Sequence, residues 1–260
     1  MNKPHLKDHR QIGRELDLFS FHDVSPGAVF WHPKGWIIYG VLQEFIREKL
    51  SSLYREISTP VLLKSDLFKE SGHWEFYKEN MFNFEVDKET YSLKPMNCPE
   101  ASLIFRSKIR SYQDLPIRFS EFGVLNRNEL SGVLGGLFRV RQFIIDDAHH
   151  FIRPDQIQEE IHKLILLVEE FYSSFDFKPH FYFATKPDKA MGNPKLWQEA
   201  EKDLEKALKN AKVKYDTKPK DGAFYGPKID IHIKDSQDRD WQLATIQLDF
   251  QIPEKMKLEY

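Results

Sequence analysis

The sequence predicts an α+β fold in which an antiparallel-rich β-sheet is flanked by helices. Strand-like segments follow one another in hairpin-like succession, and amphipathic helices lie between them. No repeat, low-complexity tract or obvious linker interrupts the pattern. The 260 residues suffice for one large domain, or for one domain with a small appendage, and leave ample length for a core.

The first predicted elements are two helices and a strand. Residues 9–16 are predicted to form a short helix, and residues 33–35 a turn. Residues 37–54 carry apolar side chains three and four positions apart, which indicates an amphipathic helix of about five turns. Residues 57–63 are predicted to form a strand, and because Pro60 cannot donate to a sheet ladder we expect it at an edge or a bulge. This helix and strand are equally typical of core structure and of a dimer face.

The rest of the chain is predicted to alternate strands with helices. Residues 81–85 and 91–94 are expected to form a hairpin around Asp87 and Lys88, and Pro154 is well placed to begin a helix that runs to Phe171. Residues 228–234 alternate isoleucine with polar residues, which is typical of a strand with one buried face. The other expected elements are strands at 115–121, 136–143, 181–185 and 241–250, and a helix at 196–211.

Composition places the protein in a broad class and excludes several others. Apolar residues make up 41% and charged residues 30%, and the formal charge of −2 provides no global basic field for nucleic acid. A single cysteine excludes an intrachain disulfide framework and is compatible with a reducing compartment. No apolar run approaches the roughly 20 residues that a transmembrane helix needs. Because the polar, mixed-charge residues 1–14 are unlike a signal peptide, we expect a cytoplasmic protein without membrane contact.

The most informative run extends from Phe122 to Glu129 and is followed by a second arginine and an aromatic residue. Arg127 and Glu129 stand two positions apart, and Arg139 and Phe143 come after a loop. A guanidinium suits a phosphate or carboxylate bidentately, a carboxylate can accept from an exocyclic amine, and the phenyl ring can stack on a base. This pattern favours a nucleotide site, although an isolated Arg-x-Glu is more often a solvated surface pair.

A cysteine and a histidine could be two ligands of a zinc site. Cys98 follows one predicted strand in a constrained turn, and His149 lies near the end of another, after the acid pair Asp146-Asp147. A lone cysteine is more often a small buried hydrophobe, so the spacing alone leaves zinc the minority interpretation.

Four further residues, Tyr225, Lys228, Gln242 and Gln247, lie in the C-terminal third in positions that suit a small ligand. Tyr225 belongs to a glycine-bounded loop that ends at Lys228, where an ordinary turn is the commoner explanation. Gln242 and Gln247 lie on a strand rich in apolar residues, and polar groups buried in such a strand need partners. Their odd separation places them on opposite faces unless a bulge intervenes.

Together the motifs resemble the catalytic domain of threonyl-tRNA synthetases, a family of class II aminoacyl-tRNA synthetases. The resemblance runs from about Asp8 to Tyr260. It rests on nine strings in order: Asp8-His-Arg-Gln-Ile-Gly, Ser71-Gly-His-Trp, Lys94-Pro-Met-Asn-Cys-Pro, Asp114-Leu-Pro, Arg127-Asn-Glu, Arg139-Val-Arg, Asp146-Asp-Ala-His, Gly222-Ala-Phe-Tyr-Gly-Pro-Lys and Gln247-Leu-Asp-Phe. It implies the class II antiparallel sheet flanked by helices, and a threonine–tRNA ligase that activates threonine with ATP.

The resemblance also implies roles for individual residues. Arg127 would bridge the ATP α-phosphate and the amino-acid carboxylate, paired with Glu129, while Arg139 would reach the outer phosphates and Phe143 would stack on adenine. On the ATP side it also implies Lys228 and Gln242. For threonine it implies Met96, Asp147, Tyr225 and Gln247. Cys98 and His149 match two of three zinc ligands, where the metal would take the amino and hydroxyl groups of threonine, and Mg²⁺ would accompany ATP.

Finally, the resemblance implies how the chain is organised. Residues 37–63 match the homodimer element, and tRNA(Thr) is the implied partner. Residues 1–260 would form one catalytic core that stops before the third class II motif, without editing or anticodon-binding domains. Because that motif supplies the third zinc ligand, a histidine, we expect this chain alone to be weakly active or inactive. Ile144-Ile145 replaces a usual polar pair with glutamine, and Glu100 a usual glycine. The alternative is a non-catalytic paralogue that acts as a dimerising or ligand-binding module.

Overall fold

The computed structural model describes residues 7–260, which divide into two compact units. The first unit extends to Ile109 and also includes Ile117–Phe151, and the second contains Arg110–Pro116 and Ile152–Tyr260. Residues 1–6, which belong to the polar N-terminal segment considered above, lie outside the described residues. The described elements are mixed helices and antiparallel-rich sheets, which confirms the predicted α+β class.

The first unit holds three small sheets and five helices among its described residues. Its helices are α1 (His9–Glu15), α2 (Pro33–Leu50), α3 (Asp66–Glu70), α4 (His73–Tyr77) and α5 (Cys98–Arg106). Its strands are β1 (Phe19–Ser20), β2 (Phe30–Trp31), β3 (Arg55–Glu56), β4 (Leu62–Lys64), β5 (Asn83–Val86), β6 (Glu89–Leu93), β7 (Ile117–Asn126) and β8 (Gln142–Phe151). The sheets have the orders β1-β2, β3-β7-β8 and β4-β6-β5.

Two helices at the start of the chain follow from local signals. A capping box begins α1, in which the Asp8 carboxylate accepts from the Gln11 amide and the Gln11 side chain accepts from the Asp8 amide. Helix α2 begins at Pro33, so the turn predicted at 33–35 is wrong. Proline is favoured in the first turn of a helix, where its missing N–H has no intrahelical partner in any case.

The strand predicted at 57–63 is also wrong, because β3 ends before it and β4 begins at Leu62. The hairpin predicted around Asp87 is confirmed as β5 and β6, which pair in antiparallel register with Asn83 opposite Ser92. The strand predicted at 136–143 is wrong, since residues up to Arg141 form a loop in which Gly136 has a φ of 54°. The strand β8 starts instead at Gln142, opposite the last residue of β7.

The second unit packs two long helices against one face of a four-stranded sheet. Its helices are α6 (Ile157–Ser173), α7 (Pro194–Ala211) and α8 (Gln251–Lys255), and its strands are β9 (His180–Ala184), β10 (Tyr215–Lys218), β11 (Lys228–Lys234) and β12 (Asp240–Gln247). The sheet order is β10-β9-β11-β12, antiparallel except for β9 with β10. The predicted strand at 228–234 is confirmed, and its alternation buries Ile229, Ile231 and Ile233 in the core with α6 and α7.

Over residues 7–260, no helix combines the length and the apolar character that a bilayer crossing requires.

Candidate functional site

The hairpin of β7 and β8, together with the loop that joins its strands, carries six of the eight predicted site residues of the first unit. Ten residue pairs join its strands, with Leu125 opposite Phe143 and Glu121 opposite Asp147. Directly paired residues of an antiparallel hairpin share a face, and residues two apart do so as well. Phe143, Asp147 and His149 therefore lie along one face of the hairpin. The acid pair lies at the middle of β8 and His149 two residues before its end at Phe151, close to the strand end that the sequence predicted.

Arg127 follows β7 directly and is held at the start of the loop that joins the two strands. Its backbone N–H donates to the Arg141 carbonyl at 2.8 Å, and its side-chain Nε donates to the Pro95 carbonyl at 3.2 Å. Its guanidinium lies 5.0 Å from the centre of the Phe143 ring, within the range of a cation–π contact. The structure thus brings together the arginine predicted for the α-phosphate and the phenyl ring predicted for adenine.

Glu129 and Arg139 pair with each other across the same loop. The Arg139 Nη2 and Nε atoms donate to Glu129 Oε2 at 2.8 and 3.0 Å, and 58% of the Arg139 side chain is exposed. Arg141 supports the loop by donating to the Glu129 carbonyl at 2.9 Å. The Glu129 side chain is only 21% exposed, so Arg139 is the partner of this pair that solvent, and hence a phosphate group, can reach more easily.

Two cavities adjoin this loop within the first unit. Phe143 lines one of about 330 Å³ together with the aromatic residues Trp31, Trp36 and Tyr39. Arg139 lines another of about 240 Å³ with Gly135 and Gly136. Phe143 and Arg139, which are both predicted to bind the nucleotide, therefore each line a cavity.

The segment from Lys94 to Glu100 alternates buried and partly exposed residues before and into α5. Met96 and Cys98 are partly exposed, whereas Pro95, Asn97 and Pro99 between and beside them are buried. Cys98 follows the end of β6 at Leu93, but it is the first residue of α5 and does not lie in a turn as predicted. The two residues of this segment predicted for threonine and zinc are therefore the accessible ones.

The donor set for zinc is chemically suitable but small. Thiolate and imidazole are the ligands that zinc prefers, and catalytic zinc sites usually have three protein ligands. Cys98 adjoins Asn97, whose amide contacts Asp147, and His149 lies two positions further on the same face of β8. Among residues 7–260 no group of three or more histidine, cysteine, aspartate or glutamate side chains could hold a metal. Cys98 and His149 thus fit zinc only as part of a larger ligand set.

Both carboxylate oxygens of Asp147 have fixed partners. Oδ2 accepts from the Asn97 amide nitrogen at 2.9 Å, and Oδ1 accepts from the Ala148 backbone N–H at 2.9 Å. Each oxygen keeps a further lone pair, so the carboxylate is oriented and can still accept from a ligand.

Glu100 is a buried acid close to these residues. It is 2% exposed, and neither carboxylate oxygen has a hydrogen-bond partner among the described residues. Burial raises the pKa of Glu100 to about 8, the carboxylates of Glu121 and Asp147 add to the shift, and the Lys94 ammonium opposes it. At neutral pH the side chain is therefore mostly an uncharged acid.

A buried ion pair joins Lys94, the first residue of the segment from Lys94 to Glu100, to Glu121 of β7. Lys94 Nζ donates to Glu121 Oε1 at 3.0 Å, and the two side chains are 1% and 5% exposed. Thr59 completes the cluster, because its hydroxyl accepts from Lys94 at 2.7 Å and its N–H donates to Glu121 at 2.7 Å. The cluster joins three segments that are distant in sequence.

In the second unit, a bulge brings the two glutamines of β12 to one face. Lys228 pairs with Gln247 and His232 with Gln242, and the register shifts between Ile231 and His232. The residues 228, 230 and 232 share a face of β11, so their partners on β12 share it too. From their odd separation, Gln242 and Gln247 are expected to share a face only if a bulge intervenes, and β12 contains that bulge.

Two hydrogen-bonded groups form on this polar face. The Tyr225 hydroxyl donates to Gln247 Oε1. Asp230, with no exposed surface, accepts from Lys228 Nζ at 2.7 Å and from Gln242 Nε2 at 2.8 Å. Within the second unit, the two residues predicted for threonine, Tyr225 and Gln247, thus contact each other, and the buried Asp230 joins the two predicted for ATP, Lys228 and Gln242.

Sequence reasoning missed the residues that support the predicted ones, namely Asp230, Asn97 and the pair Lys94–Glu121. Asp230 had a local signal, because an acid two positions after Lys228 in a strand lies on the same face. Asn97 and Glu121 had none, since their partners are 50 and 27 residues away.

Comparison with known proteins places the chain among the synthetases. Residues 82–260, which include parts of both units, match the model of the tRNA synthetase class II core domain (G, H, P, S and T). A threonine–tRNA ligase of Caldanaerobacter subterraneus subsp. tengcongensis is 51% identical over 261 residues, which covers 100% of this chain and 40% of that protein. The chain thus spans about 40% of the length of such curated relatives.

Solved structures give the same result. A crystal structure described as the RNA binding domain of threonyl-tRNA synthetase from Cryptosporidium parvum Iowa II is 46% identical, with a TM-score of 0.96 over 98% of this chain and 64% of that one. A putative threonyl-tRNA synthetase from Aeropyrum pernix is 29% identical, with a TM-score of 0.83 over 97% of this chain and 62% of that one.

Proposed function

Because the chain belongs to the class II tRNA synthetase core-domain family and is similar to threonine–tRNA ligases, we propose that its protein activates threonine with ATP and transfers it to tRNA(Thr). The observation that carries this proposal is the β7–β8 hairpin. Arg127, Phe143 and Asp147, the residues assigned to phosphate, adenine and threonine, lie together on it. The same reading makes residues 1–260 part of one catalytic core, in the cytoplasm.

The first unit supplies the charges for adenylate formation. The threonine carboxylate attacks the α-phosphorus of ATP, a new oxygen–phosphorus bond forms, and pyrophosphate leaves with the electrons of the bond that breaks. Arg127 neutralises the α-phosphate and orients the carboxylate, while Glu129 accepts from the adenine amine and Arg139 contacts the outer phosphates. Such positioning and charge stabilisation account for most of the catalysis in this kind of reaction. Mg²⁺ accompanies the nucleotide.

Within the first unit, Met96 and Asp147 are assigned to threonine. Within the second unit, Tyr225 and Gln247 are assigned to threonine, and Lys228 and Gln242 to ATP. Cys98 and His149 would hold zinc together with a further ligand, and zinc when bound supplies a Lewis acid for the amino and hydroxyl groups of threonine. A site built to ligate a hydroxyl discriminates strongly against valine, which has none.

A homodimer through residues 37–63 is the second part of the proposal. Helix α2 buries only Gly35, and several large apolar side chains near its N-terminus are exposed, among them Ile37 at 66% and Val41 at 64%. Contiguous exposed apolar surface of this kind is typical of an interface. A second copy of the chain would cover it.

One observation favours the non-catalytic alternative. Ile145 pairs with Gly123 and lies between Phe143 and Asp147 on the site face, where an apolar side chain gives the substrate no hydrogen bond. A paralogue that binds ATP or threonine without ligation would fit this arrangement.

Aminoacylation distinguishes the two readings. The protein that carries this chain is incubated with ATP, Mg²⁺, Zn²⁺, tRNA(Thr) and labelled threonine, beside an Arg127→Ala variant. We expect charged tRNA from the parent and a rate lowered by at least about 100-fold in the variant, a loss typical for a transition-state charge partner. ATP or threonine binding without any charging would favour the paralogue.

A further inference from the structure

Asn97 occupies a fully buried position beside the predicted substrate contacts, yet no predicted role falls on it. It has no exposed surface and lies between the partly exposed Met96 and Cys98. Its amide group contacts the Asp147 carboxylate at 2.9 Å. Because a carboxylate accepts only, the atom that faces it must be the amide nitrogen.

The backbone of β7 fixes the Asn97 side chain from the other side. Gly123 lies against it so closely that a methyl group at Gly123 would overlap the amide. The Asn97 side chain therefore packs directly on the strand and cannot rotate without losing its contact with Asp147.

The amide does not act simply as a stabilising contact. Its Oδ1 atom is buried and has no hydrogen-bond partner among residues 7–260. An acceptor left without a donor carries a free-energy cost, which an apolar side chain of the same shape would avoid. Asparagine at this position therefore suits the orientation of Asp147 better than it suits the stability of the fold.

We propose that Asn97 is a positioning residue for the amino-acid substrate. Its amide and the Ala148 N–H together hold the Asp147 carboxylate in one orientation, and the remaining lone pairs accept from the amino and hydroxyl groups of threonine. This inference rests on the proposed function and adds to it a residue that acts on threonine through Asp147. Gly123 is also part of this arrangement, because only a residue without a side chain leaves room for the Asn97 amide.

The test measures threonine-dependent pyrophosphate exchange in the protein that carries this chain, with Asn97→Leu, Asn97→Ser and Gly123→Ala. We expect each to raise KM for threonine by about 10-fold or more, the effect of losing one hydrogen bond to a charged group, and KM for ATP by less than about 3-fold. Ser92→Ala is the matched control, because it removes a part-buried hydrogen bond of the same unit, from the buried Ser92 to Asn83 at 2.6 Å, away from Asp147. We expect it to leave both constants unchanged.

Two results would overturn the inference. One is an unchanged KM for threonine in variants that fold, judged by circular dichroism. The other is an equal rise in both constants, as general loss of structure would produce. If the parent protein shows no exchange with threonine, the proposed function itself fails and this inference fails with it, so the two failures are distinguishable.

Discussion

Replacement of Lys94 by methionine should destabilise the first unit strongly, because it leaves a buried carboxylate without its counter-charge. Lys94 and Glu121 are 1% and 5% exposed and lie 3.0 Å apart. Removing one member of a buried ion pair typically costs about 3–5 kcal/mol, since the desolvated partner stays behind. The Thr59 N–H still donates to Glu121 and offsets part of this, so we expect about 3 kcal/mol.

Urea unfolding of the chain at pH 7 measures this loss. The double variant Lys94→Met with Glu121→Gln removes both charges and keeps an acceptor for Thr59, so it should recover at least half of the lost free energy. Lys64→Met is the control, since its pair with Glu89 is about half exposed and should contribute less than about 1 kcal/mol. A loss below about 1 kcal/mol for Lys94→Met, or a double variant no more stable than the single one, would show that the buried Glu121 carboxylate does not need the charge of Lys94.

Three other predictions concern charge, nucleotide binding and assembly. Burial raises the pKa of Glu100 from 4.5 to about 8. The free energy of unfolding should therefore fall as the pH rises from about 4.5 to 8, because the unfolded chain ionises this group more easily than the folded one. Glu100→Gln should match the parent near pH 5 and exceed its unfolding free energy by up to about 5 kcal/mol above pH 8; a gap independent of pH would contradict this. Asp230→Asn should raise KM for ATP about 10-fold through loss of the Lys228 ion pair, while an unchanged KM would remove Asp230 from the ATP side. Val41→Glu should convert a dimer into a monomer in sedimentation, and a parent chain that is already monomeric would contradict the assembly.

Helices and strands are predicted correctly from local sequence where the hydrophobic periodicity and the residues at the ends of the segment indicate the same element. The alternation of residues 228–234 gave the bounds of β11, because one face of that strand is fully buried. Pro33 misled the prediction, since proline is equally suited to a turn and to the first turn of a helix. The strand predicted at 136–143 failed because β8 is set by its pairing with β7, which no local pattern contains.

The candidate site divides in the same way. The residues that face a ligand have recognisable side-chain chemistry, so Arg127, Asp147 and Tyr225 could be selected from sequence. The groups that orient them depend on contacts between distant segments, as between Asn97 and Asp147, or on backbone irregularity. The bulge that brings Gln242 and Gln247 to one face could be stated as a condition but not predicted.

The central claim is that this chain belongs to an enzyme that activates threonine. The most direct measurement is ATP–pyrophosphate exchange by the protein that carries it, with threonine, glycine, histidine, proline and serine supplied in turn, since these are the amino acids of the matched family. We expect exchange that depends on threonine, exceeds the exchange with each other amino acid by at least about 100-fold, and falls to background in Arg127→Ala. Exchange driven by another of the five, or none with threonine, would contradict it.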